Sequence, residues 1–278
     1  METIPNSASG SSVLRRSPLR ITMPHKLWIE LAGILFFLHL ISPLLLRATF
    51  RFSSRCNPVL VDPGAVPPLV RGLAGRCAAP LESLGFSFLG YFDIGSLATN
   101  TRSYIAYFVN RPLGVFANVS VVTSPAKTAG YFEFSSSFAN GLTLDANTNS
   151  TLPLTPSRAG FRVWRFPVVF DPRELFHIHR ALVQKYAAQL EPHLPPQGQE
   201  SGRIKSQVEQ YAAEQAKTGY MYLSNDGETY RLTWKGAILT AWKSLWPTST
   251  IRTWTYRAQM KRELRSLRTN SVVAVRTA

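Results

Sequence analysis

The sequence predicts an α+β protein: one N-terminal transmembrane helix, then an antiparallel β meander of five or six strands, followed by helices and a β-hairpin. Three observations carry that prediction. Residues 27–46, LWIELAGILFFLHLISPLLL, hold a single formal charge, Glu30. Between Phe86 and Phe170, runs rich in β-branched and aromatic residues alternate and are broken by short turn-forming stretches. From Asp171 onward, apolar residues recur at intervals of three and four, the spacing of one helix face.

The N-terminal apolar run is long enough to cross a bilayer, since twenty helical residues rise roughly 30 Å. Leu27, Trp28, Leu35, Phe36, Phe37 and Leu46 are the residues expected in the lipid, with Trp28 near the boundary that amphipathic rings favour. A cleaved signal peptide has a shorter apolar run and small residues at its cut site, whereas Arg47 follows this one directly. His39 and Pro43 are tolerable within it, Pro43 lying in the last turn. Arg15, Arg16, Arg20 and Lys26 precede the run, and Arg47, Arg51 and Arg55 follow it. That balance leaves the orientation open. Residues 1–26 read as a disordered basic tail. Residues 47–68, with Pro58, Pro63, Pro67 and Pro68, read as a stiff proline-rich linker.

An α+β domain is expected over 69–250. It opens with a short helix carrying Leu69, Leu73, Cys77 and Leu81 on one face and Gly85 at its end. The strands follow in FSFLGYF, SYIAYFVN, GVFANVSVVTS and GYFEFSSSF, joined by connections short enough for an antiparallel meander. Asn140-Gly141 predicts a two-residue hairpin turn, and Pro167 confines RVWRFPVVF to an edge or to its end. Asp171, Pro172 and Glu174 form an N-terminal capping pattern for a helix with Leu175, His179, Leu182, Tyr186 and Leu190 on one side. A second helix presents Ile204, Val208, Tyr211 and Gln215 and ends at Gly219. A hairpin centres on Asp226-Gly227. In the helix after it, Trp234, Ile238, Trp242 and Leu245 are expected to pack on the core, leaving Lys235 and Lys243 in solvent.

Charge narrows the partners. The chain carries a net charge of +15. From Arg231 to Ala278 there are ten Lys and Arg against one acid, Glu263. Such a segment is drawn to anionic surfaces. Residues 251–278 read as a basic amphipathic segment and tail, with Met260, Leu264 and Leu267 forming a stripe. Trp254, Lys261, Arg262, Arg265 and Arg268 are the residues expected to touch a membrane surface, with anionic lipid as their partner.

The motifs that would name an activity are missing: no nucleophile elbow, P-loop or dinucleotide fingerprint occurs. The sixteen acids are too scattered along the chain to nominate a catalytic pair. His177 and His179, two apart on a helix, point in different directions and share no ligand. His179 reads as a core histidine bonded to a carbonyl and His177 as solvated. Asp145, Asn147 and Asn149 read as turn chemistry, because the glycine and terminal glutamate of a calcium loop are lacking. Cys56 and Cys77 read as ordinary thiols in preference to a disulfide. No catalytic residue, metal or cofactor is nominated.

The stretches FEFSSSFANGLTLDANTN, WRFPVVFDPRELFHIHR and TWKGAILTAWKSLWP resemble an uncharacterised family of bacterial membrane-anchored proteins of unknown function. The resemblance implies a tethered domain and brings no activity or functional residue with it. Three readings follow. The first is an interaction or binding module at the bilayer. The second is an enzyme acting on a lipid or envelope substrate, which would gather His179, Glu133 and Arg165 or Arg180 around one cavity. The third is a tethered nucleic-acid binder, because YRLTWKG after a hairpin is similar to a winged-helix wing. Nucleic acid is the least favoured partner, since the preceding helix RIKSQVEQYAAEQAKTG mixes three basic residues with two acids. The bilayer is the expected partner, and no protein partner is nominated.

Overall fold

A computed structural model describes residues 25–276, with the side chains of 25, 26, 28, 31, 32 and 269–276 outside the described ones. The expected basic tail, with Arg15, Arg16 and Arg20, therefore lies outside the described residues, as does the end of the C-terminal tail. The fold is α+β, with a large mixed sheet and six helices among the described residues. The chain divides into two units between Leu38 and His39.

Helix α1 (His25–Thr49) has 25 residues, about 38 Å at 1.5 Å each. Leu27, Ile29, Ile34, Phe36, Phe37 and Leu38 are exposed, and Leu35 is half-buried. Among the described residues no helix is long and apolar enough to cross a membrane. The side chains of Trp28, Leu31 and Ala32, within the expected span, are outside that description.

The second unit is built on two sheets. The strands are β1 (Phe52–Ser53), β2 (Val59–Val61), β3 (Ser87–Gly95), β4 (Arg102–Asn110), β5 (Val115–Thr123), β6 (Thr128–Ser137), β7 (Thr143–Asn147), β8 (Phe161–Arg165), β9 (Met221–Leu223) and β10 (Thr229–Leu232). Strands β2 to β8 form one sheet in sequence order, while β1, β10 and β9 form a small one. The strands expected between Phe86 and Phe170 are there, and β8 lies at the sheet edge. One pairing departs from the meander: β8 runs parallel to β7. The thirteen residues 148–160 between them return the chain to the same end of the sheet, which an antiparallel hairpin cannot do. The 47–68 segment is likewise no free linker. It supplies β1 and β2 and buries Cys56 and Val66. The turn at Asn140-Gly141 spans three residues instead of two. Phe138 N donates to the Leu142 carbonyl at 2.9 Å, and Gly141 takes the left-handed φ of 82° that such a loop requires.

Period-two alternation gives the large sheet two different faces. On one, Ala106, Phe108, Ala117, Val119, Phe134 and Ala146 meet α2 (Pro68–Ser83), α3 (Pro172–Ala187) and α6 (Thr248–Arg276). Helix α2 buries Val70, Ala74, Cys77 and Leu81; Leu69, expected on that face, is exposed. Asp171 caps α3 by accepting from Arg173 N at 3.0 Å, and Leu175, His179 and Leu182 are buried as the spacing predicts. Glu174, expected to close a capping box, meets Arg268. Helix α6 differs from its expectation as a membrane-facing segment: Met260, Leu264 and Leu267 are buried in this core. It is further tied to the domain by Lys185 to Glu263 at 2.8 Å and by the Tyr256 hydroxyl, which accepts from Arg165 N at 2.9 Å.

The opposite face carries Phe92, Tyr107, Val109 and Phe116 under Ile204 and Val208 of α4 (Glu200–Lys217). Cys56 lies in this cluster and Cys77 in the other, both as free thiols.

The small sheet has its own core of Tyr220, Met221, Leu232 and Ala237, with Leu46, Phe50 and Phe52 packed against it. Leu46, expected in the lipid, is thus half-buried against protein. Helix α5 (Trp234–Ser244) lies here the opposite way round from its prediction. It buries Gly236, Ala237, Thr240 and Ala241, whereas Trp234, Ile238 and Trp242 are exposed. The reason is contact distance. A Cβ on Gly236 would sit 2.0 Å from the Tyr220 carbonyl oxygen, so only the small-residue face can approach this closely.

Candidate functional site: a carboxylate-lined cavity

The candidate site is a cavity of about 400 Å³ over the sheet face opposite α3. Its floor follows from strand register. Glu133 stands opposite Asn118 and Asn147, and Ser135 opposite Phe116 and Asp145. The next strand across adds Arg165 beside Asn147 and Val163 beside Asp145. Glu133 and Asp145 are therefore diagonal neighbours on adjacent strands, within about 7–8 Å and so within electrostatic reach. Tyr211, Val208 and Gln207 of α4, and Pro153 and Thr155 to Arg158 of the crossover, line the cavity as well, together with Phe161 and Phe52.

The crossover is held from outside. Tyr220 Oη and Lys243 Nζ donate to the Leu154 carbonyl at 2.7 and 2.9 Å, and Arg252 donates to Pro153 O at 2.8 Å. From the α4 side, Gln215 donates to Pro156 O at 3.1 Å, and the Thr155 and Tyr211 hydroxyls lie 2.6 Å apart.

Hydrogen bonding treats the two acids differently. Glu133 accepts from Asn118 at 3.1 Å and from Asn147 at 2.8 Å, one amide for each oxygen. Asp145 is only 3% exposed, and its Oδ1 has no partner. Burial first, and the nearby Glu133 second, push the Asp145 carboxyl well above its usual range, against the pull of Ser135 and Arg203. That direction favours the protonated form of Asp145 more than in a solvated carboxyl. Burial and then Glu133 also push Tyr131 up to about 12, so its hydroxyl stays protonated. Arg165 Nε is a further buried atom without a partner. Leaving such a buried polar group unpaired costs about 1–3 kcal/mol. Arg203, by contrast, is engaged through its terminal nitrogens, donating to Tyr107 Oη at 2.8 Å and Ser135 Oγ at 2.7 Å.

Glu133 and Arg165 thus share one cavity, joined by Asp145. His179 is on the other face, fully buried, with Nε2 3.0 Å from Ser136 Oγ instead of a carbonyl. Burial lowers its pKa to about 3. His177 and Arg180 are exposed on α3. Asp145 and Asn147 belong to a strand and point into the domain, so turn chemistry fails for Asp145 but holds for Asn147 and Asn149, whose side chains accept from Asn149 N at 3.1 Å and Thr151 N at 2.8 Å. Among the described residues no group of three or more His, Cys, Asp or Glu is placed to hold a metal ion. The carboxylate pair is not visible in the sequence because its members are twelve positions apart. Its signal was the alternation itself: Glu133 and Ser135, and Asp145 and Asn147, hold one inward face with polar residues where a core strand holds apolar ones.

The membrane-surface residues fall elsewhere. Trp254, Lys261, Arg262, Arg265 and Arg268 are all exposed on α6, outside its buried stripe, and Arg268 pairs with Glu174 of α3. No family model matches this chain, and neither a curated protein nor a solved structure does.

Proposed function

We propose that this chain is a single-pass membrane-anchored protein whose α+β domain is a binding module working against the bilayer. The observation that carries this reading is the outward face of α5 and its continuation. Trp234, Trp242 and Trp246 are 50%, 56% and 53% exposed, and Trp254 is 71% exposed. Ile238 and Ile251 lie among them in sequence and are exposed too. Apolar surface of this extent marks an interaction site, and amphipathic indole rings beside cations suit the lipid headgroup region. The face adjoins the last turns of α1: the His39 ring lies 5.7 Å from that of Trp242, and the Arg47 guanidinium sits 4.8 Å from the Trp234 ring. The apolar run of α1 is the anchor in this reading, and the exposed cations of α6 meet anionic lipid.

The test has two parts. Full-length protein should remain in the pellet when membranes are washed with alkaline carbonate. Reconstituted into vesicles, its tryptophan fluorescence should be quenched by brominated lipid, less so in a Trp234→Ser, Trp242→Ser double variant. Recovery of monodisperse protein from detergent-free buffer sinks the reading. An enzyme acting on a lipid or envelope substrate is the second reading, favoured by Glu133 and Arg165 sharing one cavity with a second carboxyl. The nucleic-acid reading gains nothing from α4, where Arg203 is bound to the sheet and Lys217 pairs with Glu214 at 2.9 Å.

A further inference from the structure

The cavity has a ligand chemistry of its own, independent of whether the protein meets a membrane. Its volume of about 400 Å³ lies at the small end of the roughly 300–1,000 Å³ range of ligand pockets. Asp145 lines this space and is almost wholly buried with one oxygen lacking a partner, and Arg165, also in the wall, has an unpartnered buried Nε. Acidic and basic side chains share the wall: Glu133 and Asp145 with Arg158 and Arg165. A ligand with net positive charge meets two guanidinium groups, and one with net negative charge meets the carboxylates, so either is disfavoured in a low-dielectric space. A hydroxyl group escapes both penalties, because one oxygen donates to a carboxyl group and accepts from a guanidinium. Tyr131 and Phe161 add ring surface that packs against C–H groups.

We infer that this cavity binds a neutral polyhydroxylated ligand of monosaccharide size, its hydroxyls bridging Glu133 and Asp145 to Arg165. The two amides on Glu133 fix the carboxylate in place beforehand, so little ordering is needed on binding.

The experiment uses the full chain in lipid nanodiscs, which avoid sugar-headed detergents, and reads saturation-transfer NMR and the melting temperature. The probes are glucose, galactose, mannose and N-acetylglucosamine, with glycine betaine as a zwitterion and inorganic phosphate as an anion. At least one sugar should show transfer to its ring protons. Asp145→Asn and Glu133→Gln should each weaken that binding at least tenfold, and Val163→Trp, which fills the cavity, should abolish it. Each variant must melt in one transition without ligand, and Glu133→Gln serves if Asp145→Asn does not. The inference is overturned if no sugar binds the wild-type chain, if only betaine or phosphate binds, or if sugar binding survives all folded variants unchanged.

Discussion

Glu133 and Phe134 are neighbours in one strand and belong to two different chemistries. Phe134 points into a closed apolar layer, its ring 5.5 Å from Phe86 and 5.4 Å from Phe176. Glu133 points into a cavity with a second carboxyl group that stays incompletely bonded. The helix-packed face holds the domain together. The cavity face gives up stability by burying an unpaired polar oxygen. In a chain without a recognised motif, that cost is the clearest physical mark of a site.

The two faces should respond differently to perturbation. The largest effect is expected at Phe134: truncation to Ala should cost about 3–5 kcal/mol in chemical denaturation, from lost burial and the cavity left behind. A loss below 1 kcal/mol would mean that the apolar layer is not the stabilising one. Next is pH. His179 has a folded pKa of about 3 against an ordinary value of 6.5, so between those values the unfolded chain binds the proton and the folded chain does not. Stability should therefore fall as pH drops through that window, on the order of a few kcal/mol. His179→Leu should flatten this slope, and an unchanged slope would remove His179 as its source.

Asp145 gives the opposite sign. Its folded pKa is raised above 3.8, so above 3.8 the unfolded chain releases a proton that the folded chain retains. The penalty grows as pH rises through the folded value. Asp145→Asn should accordingly raise stability at neutral pH, by about 1–3 kcal/mol, and change little near pH 3. Destabilisation at neutral pH would show that the carboxyl group is structural. The smallest effect concerns the cysteines, one behind each face. Burial pushes Cys56 up to about 11 from 9.0 and also raises Cys77. Native-state alkylation of Cys56 should therefore be at least about a hundredfold slower than of a free thiol, with both thiols reacting fully once the chain is denatured.

Much of the fold was legible because its signals are local. Alternation in SYIAYFVN and GVFANVSVVTS gave strands β4 and β5. Asp171 and Pro172 gave the start of α3 through side-chain capping and a preset φ. Asp226-Gly227 gave the β9–β10 hairpin. The cavity was not legible, because Glu133 and Asp145 become neighbours only through the β6–β7 register set by the Phe138–Leu142 loop. Helices α5 and α6 show the other kind of miss. Both carry large apolar residues at helical spacing with cations between them, a pattern that does not say what covers the apolar side. The α5 tryptophans face outward, and the α6 stripe faces the core.

The sequence by itself determined where most strands, helices and turns occur, β1 and β2 of the proline-rich segment excepted, and that one apolar run stands apart from a basic remainder. Those properties follow from backbone sterics and side-chain pattern within a few residues. Only the tertiary structure decided which side of α5 is buried and which acids meet. Both depend on groups distant in the chain: the Tyr220 carbonyl, which admits only a glycine against α5, and a strand register that brings two carboxyl groups into one low-dielectric space.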